Sequence, residues 1–162
     1  MKKQSDPIPA KIILTNPIHF LAFGFGSGLA PIMPGTFGTL AAIPIYLAIQ
    51  NLSPAMYFLV TLFVIVVGIW LCDRSSKMLG VHDHGGIVWD EIAGYLVTMF
   101  LAPSGWQWIV AGFVLFRIFD IIKPPPIGWI DKKVQGGFGI MIDDVVAGIF
   151  ALVILQLANF FI

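Results

Sequence analysis

Two pairs of neighbouring carboxylates are the residues in this sequence best suited to chemistry. Asp90 and Glu91 open one hydrophobic run, and Asp143 and Asp144 open another. Carboxylate oxygens are ligands that Mg²⁺ prefers, and this ion usually shares its coordination shell with water and substrate phosphate. We therefore predict that the four acids hold a metal ion for phosphate chemistry. The alternative is that they only cap helix N-termini, where the helix dipole favours negative charge.

A shared D-x-x-A-G pattern indicates how the two acid pairs meet. Asp90 lies four residues before Gly94, and Asp144 lies four residues before Gly148. This spacing puts each acid and its glycine on one helix face, and small residues let two membrane helices pack closely. We predict that the two helices cross at these glycines and bring the carboxylates together.

A histidine motif precedes the first acid pair. His82 and His84 flank Asp83 in a loop that ends in two glycines. We predict that these three residues are catalytic, with the imidazoles serving as general acid and base, as metal ligands or as hydrogen-bond donors to phosphate. On an extended segment, alternate residues point to the same side, so both imidazoles are expected there together. Solvated loop histidines are the alternative.

Three charged residues end another hydrophobic run. Arg117, Asp120 and Lys123 follow one another at intervals of three, so the first two share a helical face and the third begins the next loop. We predict that Arg117 and Lys123 bind phosphate and that Asp120 is catalytic. The alternative for Asp120 is an internal ion pair, with Lys123 extending to the membrane interface.

A glycine-rich stretch, GFGSGLAPIMPGTFGT at residues 24–39, provides further polar groups. It lacks the Gly-Lys-Ser/Thr ending of a nucleotide-binding P-loop, and no strand pattern surrounds it. We predict that it binds an anion or admits substrate, with Ser27 and Thr36 as hydrogen-bond donors. Tight helix packing is the alternative.

The elements that must position these residues are membrane helices. The chain is 58% hydrophobic and 11% charged, whereas soluble domains carry roughly 25% charged residues. A spanning helix needs about 20 apolar residues. We predict an all-α integral membrane protein, a compact bundle of about five short transmembrane helices at residues 35–50, 54–72, 87–102, 106–122 and 142–162. Residues 17–34 are apolar but rich in Gly and Pro, so we expect a re-entrant or interfacial segment there.

The distribution of positive charge predicts the orientation. Of nine Lys and Arg residues, eight fall on one side of a five-helix path: Lys2, Lys3, Lys11, Arg74, Lys77, Lys123, Lys132 and Lys133. By the positive-inside rule this side is cytoplasmic, so residues 1–16 are a cytoplasmic lead-in to a single domain at 1–162. The formal net charge of zero argues against a nucleic-acid-binding surface. One cysteine, Cys72, cannot form an internal disulfide.

Four motifs together resemble one known family. GFGSGLAPIMPGTFGT, VHDHGGIVWDE, RIFDIIKPPPIGWID and GGFGIMIDDVVAG occur in this order, and the sequence closely resembles bacterial phosphatidylglycerophosphatase A from about Asn16 to the final helix. The resemblance implies a Mg²⁺-dependent phosphatase of the bacterial inner membrane. Its substrate would be the lipid phosphatidylglycerophosphate, hydrolysed at the cytoplasmic face to phosphatidylglycerol and inorganic phosphate. The oligomeric state stays open.

Rival functions lack their signatures. The sequence contains no D-x-D-x-T aspartyl nucleophile and no cysteine five residues before an arginine, so we favour in-line attack by a metal-activated water. The long D-G-x-x-A-R signature of CDP-alcohol phosphatidyltransferases is also absent. A small ion-coupled transporter is the main alternative, because broken helices and intramembrane charges also mark transport pathways. A carrier needs access from both faces, whereas the predicted far side bears no charge.

Overall fold

A computed structural model describes residues 7–162 of the chain as a bundle of α-helices. Over this range no strand forms, and the predicted all-α class is confirmed. The helices are α1 (Ala10–Thr15), α2 (Pro17–Ala22), α3 (Pro34–Ile49), α4 (Pro54–Leu79), α5 (Trp89–Thr98), α6 (Trp106–Ile122), α7 (Ile127–Lys133) and α8 (Gly136–Phe161). Of the predicted lead-in, residues 1–6 lie outside the described part, and α1 occupies most of the rest.

Two helices of the described chain, α4 and α8, are long and apolar enough to cross a membrane, at 26 residues each. Ser53 caps α4, because its hydroxyl accepts the Met56 N–H at 3.3 Å. The helix continues past its predicted end at Cys72 through a charged turn, where Lys77 pairs with Asp73 at 2.7 Å. An i, i+4 ion pair of this kind supports a helix end at the surface. Gly80 then ends α4 in the left-handed conformation, with φ of 70°.

The other predicted membrane helices also exist, but they are shorter. The bounds of α3 and α6 agree closely with the prediction, at 16 and 17 residues. The third predicted run, 87–102, yields only the 10 residues of α5, which rise about 15 Å, half the thickness of the hydrocarbon layer. Nine of these ten residues are buried, since α5 packs against α3, α4, α6 and α8. The count of five transmembrane helices stays a prediction.

The Gly/Pro-rich segment 17–34 is broken, as its composition predicts. After α2, a single 3₁₀ turn (Ser27–Leu29) is the remaining helical piece before α3. Gly24 and Gly26 take φ of 56° and 90°, a region that glycine enters without steric cost. His19 Nδ1 lies 2.8 Å from Ser75 Oγ, which fixes α2 against α4 near the charged end of that helix.

Helices α5 and α8 cross at the two predicted glycines. A Cβ atom on Gly148 would lie 2.5 Å from the Gly94 carbonyl oxygen, and one on Gly94 would lie 2.8 Å from the Asp144 carbonyl oxygen. Thr98 Oγ1 donates to the Gly94 carbonyl at 2.9 Å beside the crossing. The prediction from the D-x-x-A-G pattern is confirmed, and the close approach brings Asp144 over the first turn of α5.

We expect Gly94→Ala to destabilise the protein by about 1–3 kcal/mol, because overpacking a rigid contact costs that much. The obstructing atoms include the α8 backbone, which cannot move aside as a flexible side chain does. Thermal unfolding in detergent would measure the loss. Ala48→Val, which adds bulk at an exposed position of α3, is the control. Equal unfolding midpoints for Gly94→Ala and the parent chain would show that the crossing is looser than described.

Candidate active site

Four helix ends that carry the predicted chemistry converge at one end of the bundle. Asp90 and Glu91 lie in the first turn of α5. Asp143 and Asp144 lie two turns inside α8, because that helix begins at Gly136 and not at the predicted Ile142. The prediction that the second pair opens a helix is therefore wrong. The alternative that the acids only favour a helix N-terminus through its dipole therefore does not apply to Asp143 and Asp144, whereas Asp90 and Glu91 do occupy a first turn.

Three buried carboxylates form the centre of the site. Asp90, Glu91 and Asp144 each place one oxygen so that the three atoms lie within 4.8 Å of one another. Like charges at this spacing repel strongly in a buried environment. Asp144 Oδ2 is buried and has no hydrogen-bond partner in residues 7–162. A bound cation would relieve both problems.

Arg117 lies beside this group and is held by Asp120. The two side chains form an ion pair one turn apart on α6, as the alternative for Asp120 anticipates. Arg117 Nη1 is also 4.0 Å from Glu91 Oε1. Its Nε is buried without a hydrogen-bond partner among the described residues. A guanidinium in this position can bind phosphate through two parallel hydrogen bonds.

Lys123 occupies a second ion-pair network. Its Nζ lies 2.5 Å from Asp143 Oδ2 and 3.0 Å from Asp131 Oδ1, so the side chain turns toward these two acids. Burial lowers the pKa of the ammonium, but the charges of Asp143 and Asp144 raise it by more, so the pKa lies above its usual range. Lys123 therefore stays charged at neutral pH.

Asp143, predicted as a metal ligand together with Asp90, Glu91 and Asp144, has different neighbours from those three acids. It lies outside the three-carboxylate group and pairs with Lys123. Successive helical residues are rotated by about 100°. Asp144 therefore faces α5, while Asp143 faces the end of α6, where Lys123 is located.

Negative charge exceeds positive charge in this region of the structure. Asp90, Glu91, Asp120 and Asp143 all lie close enough to Asp144 to interact with it electrostatically. Arg117 and Lys123 are the two cations paired with acids of this group. Five carboxylates around two cations leave a negative excess, and such a site favours a multivalent cation.

The N-terminus of α3 reaches the same site through Gly35. A Cβ at this position would lie 2.5 Å from Glu91 Oε1 and 3.0 Å from Arg117 Nη1. The absence of a side chain at Gly35 therefore lets the carboxylate and the guanidinium lie directly against the first turn of α3. The positive end of the helix dipole then adds to the local attraction for an anion.

The histidine loop lies against the Gly-rich segment. His84 is buried, stacks on Phe23 with ring centres 5.7 Å apart, and accepts the Gly86 N–H at Nδ1 over 2.9 Å. A neutral His84 then carries its proton on Nε2. Because a Cβ on Gly28 would collide with the Gly86 carbonyl, the two segments cross in backbone contact.

The two predicted imidazoles have different environments. His82 is exposed, Asp83 is half-buried and His84 is buried. None of the three belongs to the three-carboxylate group found among the described residues. His84 lines a cavity of about 390 Å³ with Gly28 and Pro34, so this imidazole faces the space beside the start of α3.

The two predicted hydroxyl donors also separate. Ser27 donates to the Gly24 carbonyl at 2.7 Å, a contact that stabilises the turn, as the packing alternative anticipates. Thr36 lines a groove between α3 and α6 together with Arg117. Of the two, Thr36 is the hydroxyl beside the cation.

Comparison with known proteins assigns the family. The family model described as Phosphatidylglycerophosphatase A matches residues 20–159, a range that contains every candidate site residue. The chain belongs to the phosphatidylglycerophosphatase A family. The resemblance seen in its motifs is confirmed.

Curated relatives agree with this assignment. Phosphatidylglycerophosphatase A of Escherichia coli (strain K12) is 49% identical over 156 residues, which cover 96% of this chain and 91% of the relative. The protein of the same name from Haemophilus influenzae (strain Rd) is 49% identical over 153 residues, or 93% of each chain. A Bacteroides thetaiotaomicron relative, provisionally named a phosphatidylinositol-3-phosphatase, is 37% identical over 147 residues, 86% of this chain and 91% of its own. No solved structure matches the chain.

Two residues of this phosphatidylglycerophosphatase A site are not predicted from the sequence. Asp131 pairs with Lys123 from α7, and Gly35 admits the α3 terminus. The three consecutive prolines at 124–126 are a signal for the first, because they end α6 and favour a turn that can return the chain to Lys123. Gly35 lies in the Gly-rich motif at residues 24–39, but the motif alone gives no reason for a glycine at this position. The reason is the close approach of the Glu91 side chain, which the structure shows.

Proposed function

We infer that this chain is a phosphatidylglycerophosphatase, an enzyme that hydrolyses phosphatidylglycerophosphate to phosphatidylglycerol and inorganic phosphate. Its family membership and its relatives of 49% identity carry the reaction. The structural observation that fits this reaction best is the group of three buried carboxylates beside Arg117. A phosphomonoester needs cations and hydrogen-bond donors around its oxygens.

We propose that Asp90, Glu91 and Asp144 hold Mg²⁺. Carboxylate oxygens are the ligands that this ion prefers. Asp144 Oδ2, which is buried without a hydrogen-bond partner among the described residues, is available to bind a cation. When bound, Mg²⁺ would offset negative charge on the phosphate and lower the pKa of a bound water. Of the predicted pair Asp143 and Asp144, only Asp144 is proposed to bind the metal. Asp143 instead forms an ion pair with Lys123.

The surrounding residues would orient the phosphate. Arg117, fixed by Asp120, would donate hydrogen bonds to its oxygens, and Lys123 would add a second positive charge from the α6 end. His84, with its proton on Nε2, is the candidate to donate a hydrogen bond to a phosphate oxygen. Its cavity beside Pro34 supports this role, which we assign to His84 and not to the exposed His82.

We propose that the chain lies in the bacterial inner membrane with this end of the bundle in the cytoplasm. The apolar α4 and α8 support a membrane location. In this arrangement α3 and α6 also cross the membrane, while the short, buried α5 lies inside the bundle. Substrate lipid and surrounding membrane lipids are the expected partners, and the site would lie at headgroup depth.

The orientation can be tested by cysteine labelling. In a Cys72→Ser background, we expect a cysteine at position 132 to be inaccessible to a membrane-impermeant maleimide in intact spheroplasts and to react after lysis, because Lys132 lies at the Lys-rich end of the bundle. A cysteine at position 51, in the opposite connection, should react in intact spheroplasts. The reverse labelling pattern would invert the orientation.

The activity is tested by phosphate release from purified protein. With Mg²⁺ present, we expect turnover of phosphatidylglycerophosphate, and much slower turnover of phosphatidylinositol 3-phosphate, the lipid suggested by the name of the Bacteroides relative. An Asp144→Asn protein measured in parallel controls for contaminating phosphatases. Faster phosphate release from phosphatidylinositol 3-phosphate would make that lipid the substrate. Phosphate release from neither lipid would contradict the proposed function.

A further inference from the structure

An apolar groove runs along the outside of the bundle between α3 and α6. It has a volume of about 400 Å³, which is within the range of small-molecule sites. Val114, Ile118 and Ile121 line one wall. These residues recur at intervals of three and four, so they form one stripe on α6. Each is 44–57% exposed, so the stripe faces the surroundings of the bundle.

The groove is continuous with the candidate active site through Arg117. Arg117 is one of the residues that line the groove, and its guanidinium contacts Glu91 and Asp120. Thr36, on the opposite wall, lies in the first turn of α3 next to Gly35, which itself approaches Glu91 and Arg117. An elongated ligand can therefore have apolar contacts in the groove and charged contacts at the carboxylates.

Phosphatidylglycerophosphate has a matching distribution of groups. Its acyl chains are followed by a phosphodiester, a glycerol and then the terminal phosphate that is removed. An apolar wall matches the acyl chains, and the Arg117 guanidinium at the end of this wall matches the terminal phosphate by charge. The carboxylate site, where the cation would bind, lies beside Arg117, so the two would share that phosphate.

We propose that the α3–α6 groove seats an acyl chain of the substrate, with the terminal phosphate at Arg117, so that the lipid reaches the site sideways from the membrane. This inference rests on the proposed function. On this proposal, the groove determines which acyl-chain lengths the enzyme accepts and how the lipid enters the site. The groove wall would then affect long-chain lipids more strongly than water-soluble analogues with the same headgroup.

Val114→Trp tests the proposal by filling the groove. We expect kcat/KM for a substrate with sixteen-carbon chains to fall about tenfold relative to a substrate with four-carbon chains, since the indole would displace the longer chain from part of its apolar contacts. Val66→Trp on α4 is the matched control, because Val66 is also about half exposed, at 57% against 47% for Val114, and lies outside the groove. It should leave the ratio of the two kcat/KM values unchanged.

An unchanged ratio in Val114→Trp would overturn the groove assignment while leaving the proposed function intact. Inactivity of the unmodified chain toward both substrates would instead contradict the function. Ile121→Trp gives a second position in the same wall should the first variant fold poorly. As an independent measurement, a substrate with a photoreactive group on its acyl chain should label peptides of α3 and α6. Labelling confined to α4 and α8 would place the chain elsewhere and reject the proposal.

Discussion

Chelation of divalent cations with EDTA should abolish phosphate release by this chain, and added Mg²⁺ should restore it. Asp90, Glu91 and Asp144 place oxygens within 4.8 Å of one another in a buried setting. Without a cation these charges would repel one another and also the phosphate. We expect a loss of at least about a hundredfold, since one charge-stabilising interaction in a water-poor site is commonly worth two to three orders of magnitude.

A second measurement separates a metal ligand site from a general salt effect. Mg²⁺ that binds only the folded state raises its stability by mass action, so the thermal unfolding midpoint should rise with Mg²⁺ concentration. NaCl at matched ionic strength is the control. Undiminished turnover after exhaustive chelation, together with an unfolding midpoint insensitive to Mg²⁺, would exclude the proposed ion.

The sequence is most informative where local pattern and tertiary contact agree. The apolar runs give the bounds of α3 and α6 closely because each run ends in a clear signal, such as the prolines after Lys123. The D-x-x-A-G pattern gives the α5–α8 crossing because a glycine at i+4 from an acid must share its helix face. These two kinds of evidence predict the centre of the site, Asp90, Glu91 and Asp144.

The start of α8 is hidden because its glycines act through packing and not through propensity. Glycine has a low helix propensity, so the sequence GGFG at 136–139 predicts a loop. In the structure, a Cβ on Gly137 would lie 2.5 Å from the Asp73 Cβ, and its approach to the Ile69 carbonyl is closer still. Its N–H donates to Asp73 Oδ1 at 3.3 Å. The glycines thus allow α8 to pack against α4, and this contact outweighs their low propensity.

The pairing of Lys123 and the environment of the histidine loop are equally non-local. Because Asp143 and Asp144 are adjacent in the sequence, we predict from it that they bind the same metal ion. In the structure both lie inside α8, and the rotation between successive helical residues points them in different directions. His82 and His84 read as a pair, yet the crossing of Gly28 and Gly86 leaves one exposed and one buried. Such contacts join segments that are far apart in the chain, and residue spacing carries no information about them.

Replacing each central carboxylate by its amide should remove most of the activity. Asp90→Asn, Glu91→Gln and Asp144→Asn keep the side-chain shape but remove charge that would balance Mg²⁺. We expect each to lower kcat by at least about a hundredfold, equivalent to roughly 2.7 kcal/mol of transition-state stabilisation. Phosphate release should be normalised to monodisperse protein, with Mg²⁺ titrated for each variant.

Two further substitutions decide what such a loss means. Asp73→Asn should retain at least about a third of the activity, because this acid is 30% exposed and its ion pair with Lys77 is a surface pair of small energy. Asp143→Asn should fall between the two groups, since Lys123 keeps Asp131 as a partner, and it should leave the Mg²⁺ concentration needed for half-maximal activity nearly unchanged. The three central variants should instead raise that concentration sharply. Well-folded central variants with near-normal activity would show that these acids have no part in the chemistry, while a shift of the Mg²⁺ requirement in Asp143→Asn would return Asp143 to the ligand set.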